Sequence, residues 1–372
     1  SMRIISIILF SLILNFNAIS NKRGDNAQSD SLRLKISQML IFGIGDLQKV
    51  LDSDSMLEAY SKNHLGGIIL FEKNINKKRG KHHLKILIDE VQRISQIPSF
   101  VAIDEEGGKV NRLKPEYGFH QTKSAKYLGQ LNNLDSTYHY AKLTSSLLKE
   151  LGINVNFAPT VDLALNLENP VIYKYERSYG KDPEKVHFHA LKFIKAHNEN
   201  NIITAIKHFP GHGSSSTDTH KEITDVSKSW IIEELFPYQK LIDEGVVTGI
   251  MSSHVVNSQL DDSMLPATLS KKTLTTLLRE FLSYKGVIFS DDMQMNAITK
   301  YYGLENSIIL AINGGIDVLL FSNNQTAKNK VSPEQIISLI EKNIEDGNIS
   351  MLRINESFRR IIKLKKKINL ID

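Results

Sequence analysis

Short runs of apolar and β-branched residues recur along this chain, each followed by a Gly-, Pro- or Asx-rich loop and then by a longer segment with apolar residues three or four apart. Eight such runs stand at residues 39–42, 67–71, 100–103, 155–158, 202–207, 249–253, 286–290 and 316–321. Continuous apolar runs of this length suit strands covered on both faces, and the spacing between them suits amphipathic helices. The clearest helical segments are 84–95, 136–151, 183–200, 231–244, 272–281 and 304–313. Strict alternation implies parallel pairing through right-handed crossovers, and eight repeats imply closure into a (β/α)8 TIM barrel, an α/β fold. A doubly wound open sheet is the rival architecture. It would carry a phosphate-binding glycine loop after the first strand, and Gly43-Ile44-Gly45 lacks the third glycine. Helical segments at 333–342 and 349–367 follow the eighth run, and Ser332-Pro333-Glu334 has the form of a helix start. One catalytic domain over 32–372, a single barrel with extra C-terminal helices, is therefore expected.

Polar residues fall where a barrel would gather them. Asp104 follows the third run, Asp162 lies just after the fourth, Lys207 and His208 end the fifth, His254 ends the sixth, and Asp291 and Asp292 end the seventh. In a barrel these strand ends converge on one mouth, whereas in an open sheet they would spread along an edge.

Ahead of the domain, Met2-Arg3 leads into an apolar stretch over 4–14 that is too brief to span a bilayer, and 15–20 offers a small-x-small cleavage point. Residues 1–20 read as a secretory signal peptide, with Ser1 a cloning scar; the alternative is an amphipathic or core helix of the mature fold. The polar stretch 21–31 reads as a linker. A periplasmic or secreted protein follows, without stable membrane insertion after cleavage. The 41% hydrophobic and 23% charged fractions are those of an ordinary soluble globular chain. A net charge of +5 raises the question of an anionic polymer, but the basic residues are scattered. Their visible cluster, Lys363-Leu364-Lys365-Lys366-Lys367, ends the last helix, where cations suit the helix dipole. No nucleic-acid partner is expected, and the protein is read as a monomer. With no cysteine, disulfides, thiolate catalysis and Cys-ligated zinc are excluded.

Four motifs carry candidate chemistry. The first is the loop Lys207-His208-Phe209-Pro210-Gly211-His212-Gly213-Ser214-Ser215-Ser216-Thr217-Asp218-Thr219-His220. His208 and His212 stand four apart, but Pro210 and Gly211 forbid the helix that a zinc pair of that spacing uses, so no metal or other cofactor is expected. The histidines could instead simply tie the loop together. In an extended Asp218-Thr219-His220 the carboxylate and the imidazole point the same way, so Asp218 can fix the tautomer of His220 and raise its basicity. The second motif is Phe289-Ser290-Asp291-Asp292-Met293, whose strand-end carboxylate is either a nucleophile or a structural partner for a lysine such as Lys207. The third, Asp104-Glu105-Glu106-Gly107-Gly108-Lys109-Val110-Asn111-Arg112, offers Asp104 and Arg112 to hydroxyls, or closes on its own salt bridge. The fourth, Glu176-Arg177-Ser178-Tyr179-Gly180, offers Arg177 to a ring hydroxyl or to the nucleophile, or only a surface ion pair.

In this order and on these barrel positions, the four motifs resemble family 3 glycoside hydrolases, and within them the single-domain β-N-acetylglucosaminidase branch. That branch is marked by a Lys-His-Phe-Pro-Gly-His-Gly loop ending in Asp-Ser/Thr-His, matched here from Lys207 to His220. Pro266-Ala267-Thr268-Leu269-Ser270 and Arg353-Ile354-Asn355-Glu356-Ser357 are also similar to the family. The resemblance implies an exo-acting, retaining β-N-acetylhexosaminidase working on peptidoglycan fragments or chitin-like oligosaccharides. It makes Asp291 the nucleophile and His220, paired with Asp218, the acid/base. Asp104, Arg112, Arg177, Lys207 and His208 would bind the non-reducing N-acetylglucosamine. A β-glucosidase, a glycosyl phosphorylase of the same family and a non-catalytic sugar-binding barrel are the alternatives. Two departures stand out: Ser214-Ser215 replaces a frequent Asp-Thr, and Lys109 replaces a common arginine. Glycines in the loop would let its tip move, so His220 is expected near Asp291 only when the loop closes.

Overall fold

The computed structural model describes residues 31–48, 55–219, 222–324 and 330–372. The expected signal peptide, all but the last residue of the linker, and His220 therefore lie outside the described residues, and the expectation of its displacement with them. Residue 31, assigned to the linker, already opens a helix over 31–38.

Eight strands form the barrel: β1 (Leu40–Gly43), β2 (Gly67–Leu70), β3 (Phe100–Ile103), β4 (Val155–Asn156), β5 (Ile203–Phe209), β6 (Gly249–Ser252), β7 (Val287–Asp292) and β8 (Val318–Phe321). Each runs parallel to its neighbours, and β1 pairs with β8 to close the ring. That pairing excludes the open sheet: Leu40, Ile41 and Phe42 stand opposite Leu319, Leu320 and Phe321. The strands are buried along nearly their whole length, which is why they read as unbroken apolar runs. Two of them carry irregularities near the mouth. The register of β5 against β6 shifts between Ile206 and Phe209, and that of β8 against β7 shifts between Val318 and Leu320. Such bulges re-aim the side chains beside them, here Lys207 and His208 on β5 and Asp291 and Asp292 on β7.

The expected helices form, with 272–281 taking π rather than α hydrogen bonding, and four of the α-helices start on side-chain caps. The side chains of Asn133, Asp182, Ser332 and Ser350 accept the N–H groups of Ser136, Glu184, Gln335 and Arg353 at the starts of Leu134–Leu151, Pro183–Asn198, Pro333–Glu345 and Met351–Lys367. The segment expected as one helix over 231–244 is broken instead. Ile232–Leu235 makes a 3-10 turn, and an α-helix, Phe236–Asp243, begins afresh with Pro237 in its first turn, where a missing N–H costs nothing. Ser55–Asn63, Ala125–Leu131 and Asn296–Tyr302 are helices that the pattern did not mark, each too short to show a period. Among the described residues no helix is long and apolar enough to cross a membrane.

Aromatic side chains fill the barrel centre: Phe289 meets Phe157 and Phe100 edge-on, with ring centroids 5.5 and 6.2 Å away. Lys365, from the last helix, lies wholly buried, donating to Gln38 Oε1 at 2.7 Å and Gly66 O at 3.3 Å, with Nζ 4.7 Å from the Phe100 ring, and burial lowers the group to about 7. Nearby, buried Asp317 at the start of β8 accepts from Arg279 at 2.5 Å, Arg360 at 3.1 Å, Arg353 at 3.2 Å and Ser357 Oγ at 2.7 Å. The Arg353-to-Ser357 motif is thus a structural lock that ties the last helix to β8. Asp317→Ala strands three guanidinium groups and should cost about 3–5 kcal/mol in urea denaturation. Lys174→Ala, which breaks the exposed pair with Glu168, should stay within about 0.5 kcal/mol.

Candidate active site

β5 delivers two polar side chains, Lys207 and His208, to the mouth from a wholly buried strand. Lys207, 2% exposed, reaches Asp104 Oδ1 at 2.9 Å and Glu106 Oε1 at 2.7 Å. His208 donates from Nδ1 to Asp162 Oδ2 at 2.7 Å and accepts at Nε2 from Arg177 at 3.0 Å, a pairing that fixes the neutral tautomer. The Lys207–His208 and Phe209–Pro210 peptide bonds are both cis.

The loop after β3 supplies the counter-charges. Asp104 also faces Arg112 at 3.5 Å, while Glu106 takes Arg177 through two bonds, from Nε at 2.9 Å and from Nη2 at 2.7 Å. Three carboxylates (Asp104, Glu106, Asp162) and three cationic side chains (Arg112, Arg177, Lys207) therefore interlock. Burial alone would raise Glu106, but Arg177 and Lys207 hold its carboxyl far below the usual range. Burial likewise opposes ionisation of Asp104, and Lys207 and Arg112 overcome it. Glu105 points the other way. Its Oε2 accepts the N–H groups of Arg112 and Leu113 at 2.9 and 3.1 Å, and burial pushes it up to about 7. It shapes the loop rather than the cleft.

At the end of β7 the adjacent aspartates diverge. Asp292 Oδ2 accepts from Ser322 Oγ at 2.5 Å and Oδ1 accepts the Ser322 and Gln294 N–H groups, both at 3.1 Å. Burial raises its carboxyl. His254, the strand-end histidine of β6, donates to the Asp292 carbonyl at 2.9 Å and so supports this strand end. Asp291 accepts the Asp292 N–H at 2.7 Å and lines the cleft.

A cavity of about 670 Å³ opens at the carboxyl ends of the strands, a size that suits a small ligand. Asp104, Arg112, Arg177, Lys207, His208, Asp218 and Asp291 all line it, so every expected site residue that the structure describes meets there. His212 does not. It is buried, donates its N–H to Asp162 at 2.8 Å, pairs through Nδ1 with Ser215 Oγ at 2.7 Å, and burial lowers its ring to about 4. It ties the loop together. Among the described residues no group of three His, Asp or Glu could hold a metal ion. Sequence reasoning passed over Glu106 and Asp162 as partners, although both were in view, the first inside the quoted motif and the second at a strand end.

Charged groups gathered at one end of a closed parallel barrel mark the mouth where (β/α)8 enzymes bind their substrates. Within that class, the chain belongs to glycosyl hydrolase family 3, whose N terminal domain matches residues 31–364. It is 32% identical over 330 residues to beta-hexosaminidase A of Pseudoalteromonas piscicida, covering 84% of this chain and 55% of that one. With a beta-hexosaminidase of Tolumonas auensis it shares 33% identity over 266 residues, covering 70% and 76%. Among solved structures, a family 3 beta-N-acetylglucosaminidase from a Paenibacillus species superposes with a TM-score of 0.82 at 31% identity, over 91% of this chain and 62% of that one. The beta-N-acetylhexosaminidase of Beutenbergia cavernae gives 0.79 at 25% identity, over 90% and 98%. The chain thus spans little more than half the length of one of these relatives and nearly all of another.

Glu106→Gln should leave Lys207 and Arg177 underbalanced and cost about 3–5 kcal/mol. Because its folded value is depressed from 4.5, the wild-type contribution is present above that pH and is lost as pH falls below it. The stability gap between Glu106→Gln and wild type, measured by urea titration, should therefore narrow in acid.

Proposed function

We propose that the protein is an exo-acting, retaining β-N-acetylhexosaminidase that releases non-reducing N-acetylglucosamine from peptidoglycan fragments or chitin-like oligosaccharides. The observation that carries this reading is that Asp291, on β7, lines the same cavity as Asp218, on the loop after β5, and as the Asp104–Lys207–Arg112 cluster. A carboxylate nucleophile, an acid/base arm and a hydroxyl-binding cluster are the parts that retaining hydrolysis requires.

Each group has the capacity for its role. Lys207 has three N–H donors and two carboxylate partners, which leaves one for a sugar hydroxyl. Arg177 has five donors, and four are used on Glu106, the Val171 carbonyl and His208. His208 has both ring nitrogens engaged, so its part in binding is to hold Arg177 and to wall the sugar site. In the first step His220, oriented by Asp218, protonates the glycosidic oxygen while an Asp291 oxygen forms a bond to the anomeric carbon and the aglycone departs. In the second, His220 takes a proton from water, the water oxygen bonds to the same carbon, and Asp291 leaves. Two displacements restore the β configuration.

The apolar stretch 4–14, read as part of a signal peptide, supports an exported enzyme, periplasmic or secreted, and the scattered basic residues favour a carbohydrate over a nucleic-acid partner. Asp291→Ala should lower kcat on a chromogenic N-acetyl-β-glucosaminide more than about 1000-fold. Retained turnover would remove Asp291 from the role. Running the wild-type assay with and without phosphate, and identifying the sugar product, separates hydrolysis from phosphorolysis; a glucoside run in parallel separates the glucosidase alternative.

A further inference from the structure

Glu234 is a buried carboxyl that the proposed reaction does not use. It lies in the turn Ile232–Leu235, 1% exposed, and its Oε2 accepts the Gly213 N–H at 3.0 Å. It also presses on Gly211, where a Cβ would fall 2.6 Å from Oε2. In the same short segment Trp230 donates its indole N–H to the Pro210 carbonyl at 3.0 Å. One wall of the loop root is therefore gripped at Pro210, Gly211 and Gly213. On the other wall Asn169 donates to the His212 and Gly213 carbonyls at 2.8 and 3.2 Å, and a Cβ on Gly213 would fall 1.8 Å from the Leu163 carbonyl. Beyond this clamp the chain continues to Asp218 and His220. At the exit from the clamp, Glu234 Oε1 and Ser214 Oγ are both buried, and neither makes a hydrogen bond of good geometry.

We propose that Glu234 is a positioning residue for the acid/base loop: by gripping Gly211 and Gly213 it sets where the arm that carries Asp218 stands relative to Asp291. The inference rests on the acid/base reading of that arm, but the clamp can be measured without it. Burial pushes the Glu234 carboxyl up to about 8, against the pull of Ser214 and the loop N–H groups and with added repulsion from Asp162. The titratable groups around it are Asp162 after β4 and Tyr238 on the next helix, with His212 inside the clamped stretch. Burial opposes ionisation of Asp162 but His208 holds it low, burial keeps His212 neutral, and burial puts Tyr238 well above its ordinary range. None of these three changes charge near neutrality, whereas Glu234 does. With its folded value raised, the clamp is firmest in acid and weakens as pH climbs from 4.5 towards about 8.

Trp230 is the single tryptophan of the chain, so its emission reports on the loop root without interference. Emission across about pH 5–9 is measured for wild type, Glu234→Gln and Glu234→Ala, with kcat and KM on an N-acetyl-β-glucosaminide. Wild-type emission should shift with a midpoint of about 8. Glu234→Gln, neutral at every pH, should flatten that shift and keep kcat within about threefold. Glu234→Ala should lower kcat about 10- to 100-fold and change KM less than about threefold, because the sugar-gripping cluster is held by other residues. Wild-type kcat and emission in Glu234→Ala, or an unchanged pH-dependent shift in Glu234→Gln, would overturn the proposal. If Glu234→Ala does not fold, the comparison of Glu234→Gln with wild type decides. If the wild type releases no N-acetylglucosamine, the emission data still decide the clamp, so the two readings fail separately.

Discussion

Lys207 and Arg177 stand side by side in a buried cleft because Glu106 lies between them. Each holds the same Glu106 oxygen at 2.7 Å, and two cations about 5 Å apart would repel each other by about 3 kcal/mol even at an effective dielectric of about 20. A carboxylate bonded to both turns that repulsion into a rigid unit. Asp104 extends the same logic outward to Arg112, and Asp162 takes the His208 N–H beside it. The result is a mouth with matched charges, in which donors are aimed but not exhausted. A ligand hydroxyl entering it finds bonding capacity already desolvated, with little reorganisation left to make.

The two ends of the barrel do different work. At the amino ends of the strands, Asp317 gathers three arginines and a serine, and Lys365 closes the base. At the carboxyl ends, bulges in the pairing of β5 and β7 turn side chains into the cleft. Each end is thus locked by its own buried ion-pair network, one holding the last helix to the ring and the other aiming donors into the cleft.

Barrel strands were readable in the sequence because burial on both faces leaves an unbroken apolar run, and Asp104, Lys207 and Asp291 were readable because a charge at the end of such a run is conspicuous. The partners were not. Arg177 and Glu106 are 71 positions apart, and their pairing follows from which loops the ring brings together rather than from local pattern. Glu234 was hidden for another reason: in the helical reading of 231–244 it looks like one more solvated acid, and only the break before Phe236 turns it inward. The second lysine of the basic run 363–367 misled similarly. Lys365 seemed part of a helix-terminal charge cluster, yet it is the buried one, fixed by Gln38, Gly66 and the Phe100 ring.

That buried lysine links the first strands of the ring to nearly the last turn of the chain. Until residue 365 has been synthesised, Gln38 and the Gly66 carbonyl lack their partner and the floor of the barrel stays unsealed. Closure of β1 onto β8 has the same dependence on late residues. The ring therefore closes only when both ends of the described chain are in place, so its folding depends on contacts of very large sequence separation.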